Sequence, residues 1–184
     1  MIYTILAGIT AYIGTNIDDM FINMLLFSTS KNKKDDLAIM LGKYIGTGVL
    51  MAVSVAIGMG AKAVIGNWVR LLGIVPLYMA VKRLRDNSEE TDDVNVSGNY
   101  MLSSAAITIA SGGDNIGVYV PLFAGMGAGQ LVTVAVIFAI MTLLWCLLGK
   151  RLTVMPAIKN TIEKYSHIIT PAVYICLGIY ILLF

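Results

Sequence analysis

Six long apolar runs are the feature that most limits how this chain can fold. They cover residues 2–28, 37–61, 64–81, 100–126, 129–149 and 166–184. A transmembrane helix needs about 20 mostly apolar residues, and each run is close to that length or longer. Charged residues make up 13% of the chain, against about 25% in a soluble domain. The runs therefore predict an all-α integral membrane protein with six transmembrane helices.

The two halves of the chain resemble each other at two places. Asp18 in the first run and Asp114 in the fourth have equivalent positions, and a Leu-Gly-Ile sequence recurs around Gly73 and Gly178. With three helices per half, the second copy must enter the membrane from the opposite side, as in many secondary transporters. The similarity predicts two inverted three-helix repeats, with chance likeness between apolar segments as the alternative.

Basic residues accumulate in alternate connections between the runs. The first, third and fifth connections carry Lys31, Lys33, Lys34, Lys82, Arg83, Arg85, Lys150, Arg151, Lys159 and Lys164. Since basic residues favour the cytoplasmic side, these connections are predicted to be cytoplasmic and both termini external. The expected boundaries are repeat one at 1–81, a cytoplasmic loop at 82–99 and repeat two at 100–184, within a single transmembrane domain of residues 1–184.

Two polar stretches interrupt the first and fourth runs, at residues 14–19 and 111–115. An ionised carboxylate at mid-bilayer costs about 2.5 kcal/mol or more, so such residues usually face an internal cavity and have a function. The Gly, Thr, Ser and Asn in these stretches favour discontinuous helices of the kind found at transporter midplanes. Because the stretches lie at similar depths, we expect them to meet.

The polar stretches supply oxygen ligands for a hard divalent cation. The predicted ligands are Asp18, Asp19, Asp114, Asn115 and Asn16. Two to three negative charges suit a divalent ion. The alternative is that the acids cap the broken helices or pair internally with Lys43.

Lys43, Met20 and Met24 lie near the predicted site and each has two interpretations. Lys43 is about six residues into the second run, so its long stem is expected to reach the cytoplasmic interface; the alternative is an internal counter-ion for the acids. Met20 and Met24 are spaced i, i+4 after Asp19. Their ordinary role is packing, and the alternative is a soft thioether ligand.

Several functional classes are disfavoured by what the sequence lacks. The net charge of +2 is too small to suggest a nucleic-acid partner. Cys146 and Cys176 lie in apolar runs without metal-ligand spacing and are predicted to be packing residues. The chain has one histidine, His167, and no Ser/His/Asp set, so an enzyme is not expected. No ATP-binding motif and no cofactor site is recognised.

Three features of the sequence resemble those of a known family: the run at 112–121, the Asp18-Asp19 pair and the Gly-x-Tyr-Ile-Gly sequence at 42–46. That family is the bacterial cadmium resistance transporter family, within the lysine exporter superfamily. The resemblance extends over essentially the whole chain. It implies a six-span inner-membrane efflux protein with a three-plus-three repeat that exports divalent cations such as Cd²⁺. Its matching positions are Asp18, Asp19, Asp114 and Asn115. The chain departs from the family pattern at Lys43, where relatives often have Gln, and at Ser111, where some have Asn or Cys.

The leading hypothesis is a secondary transporter that exports a divalent metal cation, Cd²⁺ first, in exchange for protons. The metal is then the transported substrate, and membrane lipid surrounds the protein. The sequence does not decide whether the chain forms a homo-oligomer. A harder ion such as Mn²⁺ or Mg²⁺ is one alternative, because oxygen ligands suit it equally well. Export of a cationic organic solute, a basic amino acid or a quaternary ammonium compound, is another, but a deep aromatic cage would favour it. A non-transporting assembly or sensor subunit is disfavoured by the cost of the midplane acids.

Overall fold

The apolar runs form helices throughout the part of the chain that the structure describes. This computed structural model describes residues 1–85, 99–154 and 156–183, with side chains except at Asn67 and 156–167. The helices are α1 (Ile2–Asn16), α2 (Asp19–Thr29), α3 (Lys33–Ile65), a 3-10 helix (Gly66–Gly73), α4 (Ile74–Arg85), α5 (Tyr100–Ala110), α6 (Gly113–Ala124), α7 (Ala128–Leu152) and α8 (Pro156–Leu183). The all-α prediction is confirmed over these ranges. Most of the predicted cytoplasmic loop, residues 86–98, lies outside them.

Two of the predicted transmembrane runs form long unbroken helices, α3 and α7. Both are long and apolar enough to cross a membrane, and only 17% of the most apolar part of α3 and 33% of that of α7 are buried inside the chain. A core helix of a soluble protein would be mostly buried, whereas these helices leave broad apolar faces uncovered. Length, composition and exposure together fit a membrane protein.

The first and fourth runs each form two helices rather than one. The first is broken at residues 17–18, between α1 and α2, and the fourth at residues 111–112, between α5 and α6. After the first break, the backbone N–H groups of Met20 and Phe21 donate to carbonyls only three residues back, at 3.3 and 3.2 Å. The predicted discontinuous helices are therefore observed at both polar stretches.

The third run differs from its prediction at both ends. The chain leaves α3 at Gly66, whose φ of +54° favours glycine, and continues as the 3-10 helix before α4 begins. At its other end α4 extends to Arg85, past the predicted limit at residue 81. Lys82, Arg83 and Arg85 favour this extra turn because basic side chains interact well with a helix C-terminus. Arg83 thus lies in the last turn of α4, and the boundaries of the cytoplasmic loop stay a prediction.

Helix contacts run mainly between the two halves of the chain. α3 packs against α5 and α6, α7 packs against α1 and α2, and α4 packs against α8. Glycines permit the closest approaches. A Cβ added at Gly46 would lie 2.6 Å from Cβ of Thr108, and one at Gly73 would lie 2.7 Å from the carbonyl oxygen of Gly178. The GxxxG spacing at 42–46 therefore does bring two helix backbones together, as such spacings do in membranes.

Candidate functional site

The two helix breaks meet in the middle of the molecule. The Asn16 side-chain amide nitrogen lies 3.4 Å from Oδ1 of Asn115, and the Thr15 hydroxyl lies 2.8 Å from the Tyr119 hydroxyl. The indole N–H of Trp145 on α7 donates to the carbonyl oxygen of Asn16 at 2.7 Å. All of these polar atoms are buried. The expected meeting of the two polar stretches is confirmed.

An aromatic core supports this junction from one side. The Tyr12 ring packs edge-on against Phe138 and Trp145, with ring centroids 5.3 and 5.6 Å apart, and the Tyr12 hydroxyl donates to Thr142 at 3.0 Å. Tyr119 completes the cluster at 4.8 Å from Phe138. The buried hydroxyls in this cluster have hydrogen-bond partners. A fully hydrogen-bonded network of this kind holds this side of the junction in place.

A second group of polar side chains contains Asp18, Asp114 and Tyr174. The Tyr174 hydroxyl on α8 donates to Oδ2 of Asp114 at 3.2 Å, and the Asp18 and Asp114 carboxylates are within electrostatic range of each other and of Tyr174. Asp114 is in the first turn of α6, where a helix dipole favours a negative charge. We call Asp18, Asp114 and Tyr174 the carboxylate site.

Arg83 closes the carboxylate site in this structure. Its guanidinium Nη2 donates to Oδ2 of Asp18 from the last turn of α4. Both side chains are about one-third exposed, at 32% each. Asp18 is thus paired with a basic residue that is itself only partly buried.

Asp19 points to a different partner, although it is next to Asp18 in the chain. The Lys43 ammonium on α3 donates to Oδ2 of Asp19 at 2.8 Å, and the two side chains are only 4% and 8% exposed. The expectation that Lys43 extends to the interface is wrong, because an acid within reach satisfies its ammonium inside the protein. The alternative interpretation, internal pairing of an acid with Lys43, describes what is observed for Asp19.

The predicted ligands are therefore divided among three neighbourhoods. Asp18 and Asp114 share the carboxylate site, Asn16 faces Asn115 at the junction, and Asp19 is paired with Lys43. Within the described ranges, no three His, Cys, Asp or Glu residues gather into a group that could hold a metal ion. The set of five metal ligands stays a prediction.

Two hydroxyls in the described part of the chain are buried without a hydrogen-bond partner, those of Ser54 and Thr170. Buried polar groups are nearly always hydrogen-bonded, so these two hydroxyls are exceptions. Thr170 lies four residues before Tyr174 on α8, and residues with this spacing share one helix face. Thr170 is therefore on the face of α8 that carries Tyr174 to the carboxylate site.

Sequence reasoning missed Arg83 and Tyr174 as site residues. A usable signal existed for Arg83, because intramembrane acids almost always pair with a base and three basic residues follow the third run. Tyr174 gave no signal beyond a hydroxyl in an apolar run.

Met20, Met24 and Cys146 are packing residues, as predicted, whereas the prediction of packing for Cys176 is wrong because its side chain is exposed. Met20 is buried in the aromatic core and Met24 packs against it, as their ordinary role predicts. Cys146 is buried and Cys176 exposed, and both are free thiols. None of the contacts of the carboxylate site described above involves sulfur.

Residues 12–184 match the family model described as Cad, cadmium resistance transporter. No curated protein and no solved structure matches the chain at a significant level. The family match includes both helix breaks, α3 with Lys43 and α4 with Arg83. It confirms the resemblance drawn from the sequence.

Proposed function

Because the chain belongs to the cadmium resistance transporter family, we propose that it is a secondary transporter that exports a divalent cation, with Cd²⁺ as the first candidate. One observation carries the proposal. Two carboxylates, Asp18 and Asp114, come from two separate helix breaks, interact electrostatically and are both partly exposed. A family of transporters gives no reason to propose an enzymatic activity.

The carboxylate site has the chemistry that a divalent cation needs. Asp18 and Asp114 together supply two negative charges, and the Tyr174 hydroxyl supplies a third oxygen. Divalent cations bind oxygen ligands of this kind. Coupling of cation export to proton entry is part of the proposal. The cation is the transported substrate, and no cofactor is proposed.

The proposed ligands also leave harder ions as a second candidate. Carboxylate and hydroxyl oxygens suit Mn²⁺ or Mg²⁺ at least as well as Cd²⁺. Family membership ranks Cd²⁺ first. A cationic organic solute is less well supported, because the carboxylate site as described contains one aromatic residue, Tyr174, whereas a quaternary ammonium prefers a cage of several.

The proposed architecture is six membrane spans in two inverted repeats within a bacterial inner membrane. Helix packing supports the repeat: α3 contacts α5 and α6, and its predicted counterpart α7 contacts α1 and α2. The equivalent glycines also contact each other, since a Cβ at either Gly73 or Gly178 would approach the carbonyl of the other. Contacts between equivalent residues are expected on a two-fold pseudo-symmetry axis.

The proposed orientation places both termini outside the cell, following the basic residues. It is tested by single cysteines at Asn32, which should be cytoplasmic, and at Gly127, which should be external, after Cys146 and Cys176 are replaced. An impermeant thiol reagent added to intact cells should label only the cysteine at Gly127. Labelling at Asn32 alone would reverse the orientation.

Flux in proteoliposomes tests the proposed function. With a pre-set proton gradient, purified wild-type protein should carry Cd²⁺ in the direction opposite to proton flow. Asp114→Asn should lose flux by about 10-fold or more, since removing a charge-assisted ligand costs about 1.5–3 kcal/mol. Asp35→Asn, the same change outside the site, is the matched control and should transport normally. Absence of wild-type flux for Cd²⁺, Mn²⁺ and Mg²⁺ would refute the proposal, as would full activity of Asp114→Asn.

A further inference from the structure

Arg83 occupies the carboxylate that the proposed function assigns to the substrate. Its guanidinium and a divalent cation would both bind Asp18 through the same oxygens. A guanidinium donates up to five hydrogen bonds to carboxylates in a planar geometry and remains charged at any physiological pH. Both cannot fully satisfy one carboxylate, so the cation has to displace Arg83 or bind beside it.

The surroundings of Arg83 allow it to leave, and those of Lys43 do not. The Arg83 side chain is 32% exposed and lies in the last turn of α4, so its charge can move into water at small cost. Lys43 is almost fully buried against Asp19, and separating that pair would leave two uncompensated charges inside the protein. Of the two basic residues at the first helix break, Arg83 is the exchangeable one.

We propose that Arg83 is a built-in competitor of the substrate, which neutralises Asp18 in the unloaded transporter and is displaced when the cation binds. This inference rests on the proposed function. Binding of the cation replaces one positive charge at Asp18 with two. In the unloaded transporter Arg83 balances Asp18, and the Asp114 carboxylate still attracts a divalent ion. The return of Arg83 to Asp18 then helps to expel the cation, because the site is not left with an unpaired carboxylate.

Displacement of Arg83 also frees a contact between two helices. The Arg83–Asp18 ion pair joins the end of α4 to the break between α1 and α2, and α4 packs along α8, which carries Tyr174. Cation binding would therefore loosen α4 from the first broken helix, while the Lys43–Asp19 pair keeps α3 attached to it. Occupancy of the site is coupled in this way to the attachment of α4.

Affinity for the metal ion distinguishes a competitor from a structural residue. Cd²⁺ binding is measured by calorimetry on the purified full-length protein in detergent, for wild type, Arg83→Gln and Arg85→Gln. Removal of a competitor should tighten binding about threefold to fivefold in Arg83→Gln, the range that an ion pair of this exposure can supply, whereas a structural residue would weaken binding when removed. Arg85 is an exposed basic residue on the same helical turn, and Arg85→Gln should bind within about twofold of wild type.

A second measurement uses the wild-type protein and does not depend on a variant that folds. Phenylglyoxal modifies free guanidinium groups, and the modified residues are identified by mass spectrometry of peptides. Saturating Cd²⁺ should accelerate modification of Arg83 several-fold and leave that of Arg85 unchanged. No acceleration at Arg83 would overturn the inference.

The outcomes separate this inference from the proposed function. If wild type binds and transports Cd²⁺ but Arg83→Gln binds it equally or more weakly, the competitor role is wrong and the transport function stands. If wild type neither binds nor transports any divalent cation, the proposed function fails and the inference fails with it. Tighter binding in Arg83→Gln with slower turnover in liposomes supports both.

Discussion

Asp18 and Asp19 are neighbours in the chain, yet the structure gives them opposite surroundings. Asp18 is partly exposed, pairs with a solvent-accessible arginine and lies near a second carboxylate, Asp114. Asp19 is buried and pairs with a buried lysine, Lys43. Asp18 is the N-cap residue of α2 and Asp19 is its first helical residue. Because successive residues of a helix point about 100° apart, Asp18 faces the carboxylate site and Asp19 faces α3.

The difference shows that charge count alone does not define a cation site. Three acids at one depth suggest a site of charge up to −3, but an acid with a buried basic partner contributes little net charge. What remains available is the carboxylate whose partner can leave. In the proposed function, Asp18 and Asp114 bind the substrate, whereas Asp19 stabilises the α2–α3 contact through its pair with Lys43.

Loss of the buried partner should have the largest effect on stability. Lys43→Met leaves Asp19 buried and unpaired, and breaking a buried ion pair typically costs about 3–5 kcal/mol. We expect little folded protein, measured as the monodisperse fraction in size-exclusion chromatography. The double variant Lys43→Met/Asp19→Asn removes both charges and should recover most of the yield. A single variant as stable as wild type would break the comparison.

Loss of the exposed partner should affect stability much less. Arg83→Gln removes an ion pair in which both side chains are one-third exposed, and such pairs contribute about 0–1 kcal/mol. We expect an unfolding temperature in detergent within a few degrees of the wild-type value. A collapse comparable to that of Lys43→Met would mean that the two pairs are equivalent.

Replacement of Met20 and Met24 tests whether a soft metal ligand lies beside Asp19. Met20→Leu/Met24→Leu keeps side-chain volume, and swaps of this kind usually cost less than about 1.5 kcal/mol. Since both residues pack in the aromatic core, we expect Cd²⁺ and Mn²⁺ transport in liposomes to change together and by a small factor. Selective loss of Cd²⁺ transport would place soft ligands beside Asp19 and contradict our assignment.

The smallest effect is expected at a third ion pair, which extends the comparison to the surface. Lys150 at the end of α7 contacts Asp36 at 2.5 Å, and the Lys150 side chain is 51% exposed. Ser30 also donates to Asp36 at 2.7 Å, so the carboxylate keeps a partner when Lys150 is changed. Lys150→Gln should lower stability by less than about 1 kcal/mol, measured by thermal unfolding. A loss larger than that of Arg83→Gln would show that exposure does not rank these pairs.

The sequence was sufficient to predict the broken helices and their meeting. Polar residues inside apolar runs are costly, so Asp18 and Asp114 had to face one another or a cavity. Which basic residue pairs with which acid was not predictable, because the pairing depends on helix rotation and on where neighbouring helices end. The extra turn of α4 places Arg83 beside Asp18. The packing of α3 places Lys43 beside Asp19. Neither effect leaves a periodic pattern in the sequence.

The cation-induced rise in unfolding temperature tests the central claim most directly. A ligand that binds the folded state stabilises it by an amount that grows with the logarithm of the ligand concentration relative to Kd. We predict that Cd²⁺ raises the unfolding temperature of wild type and of Lys43→Met/Asp19→Asn, and that Asp18→Asn shows no rise although its temperature without metal is close to wild type. A rise that persists in Asp18→Asn and is lost in Lys43→Met/Asp19→Asn would contradict the account.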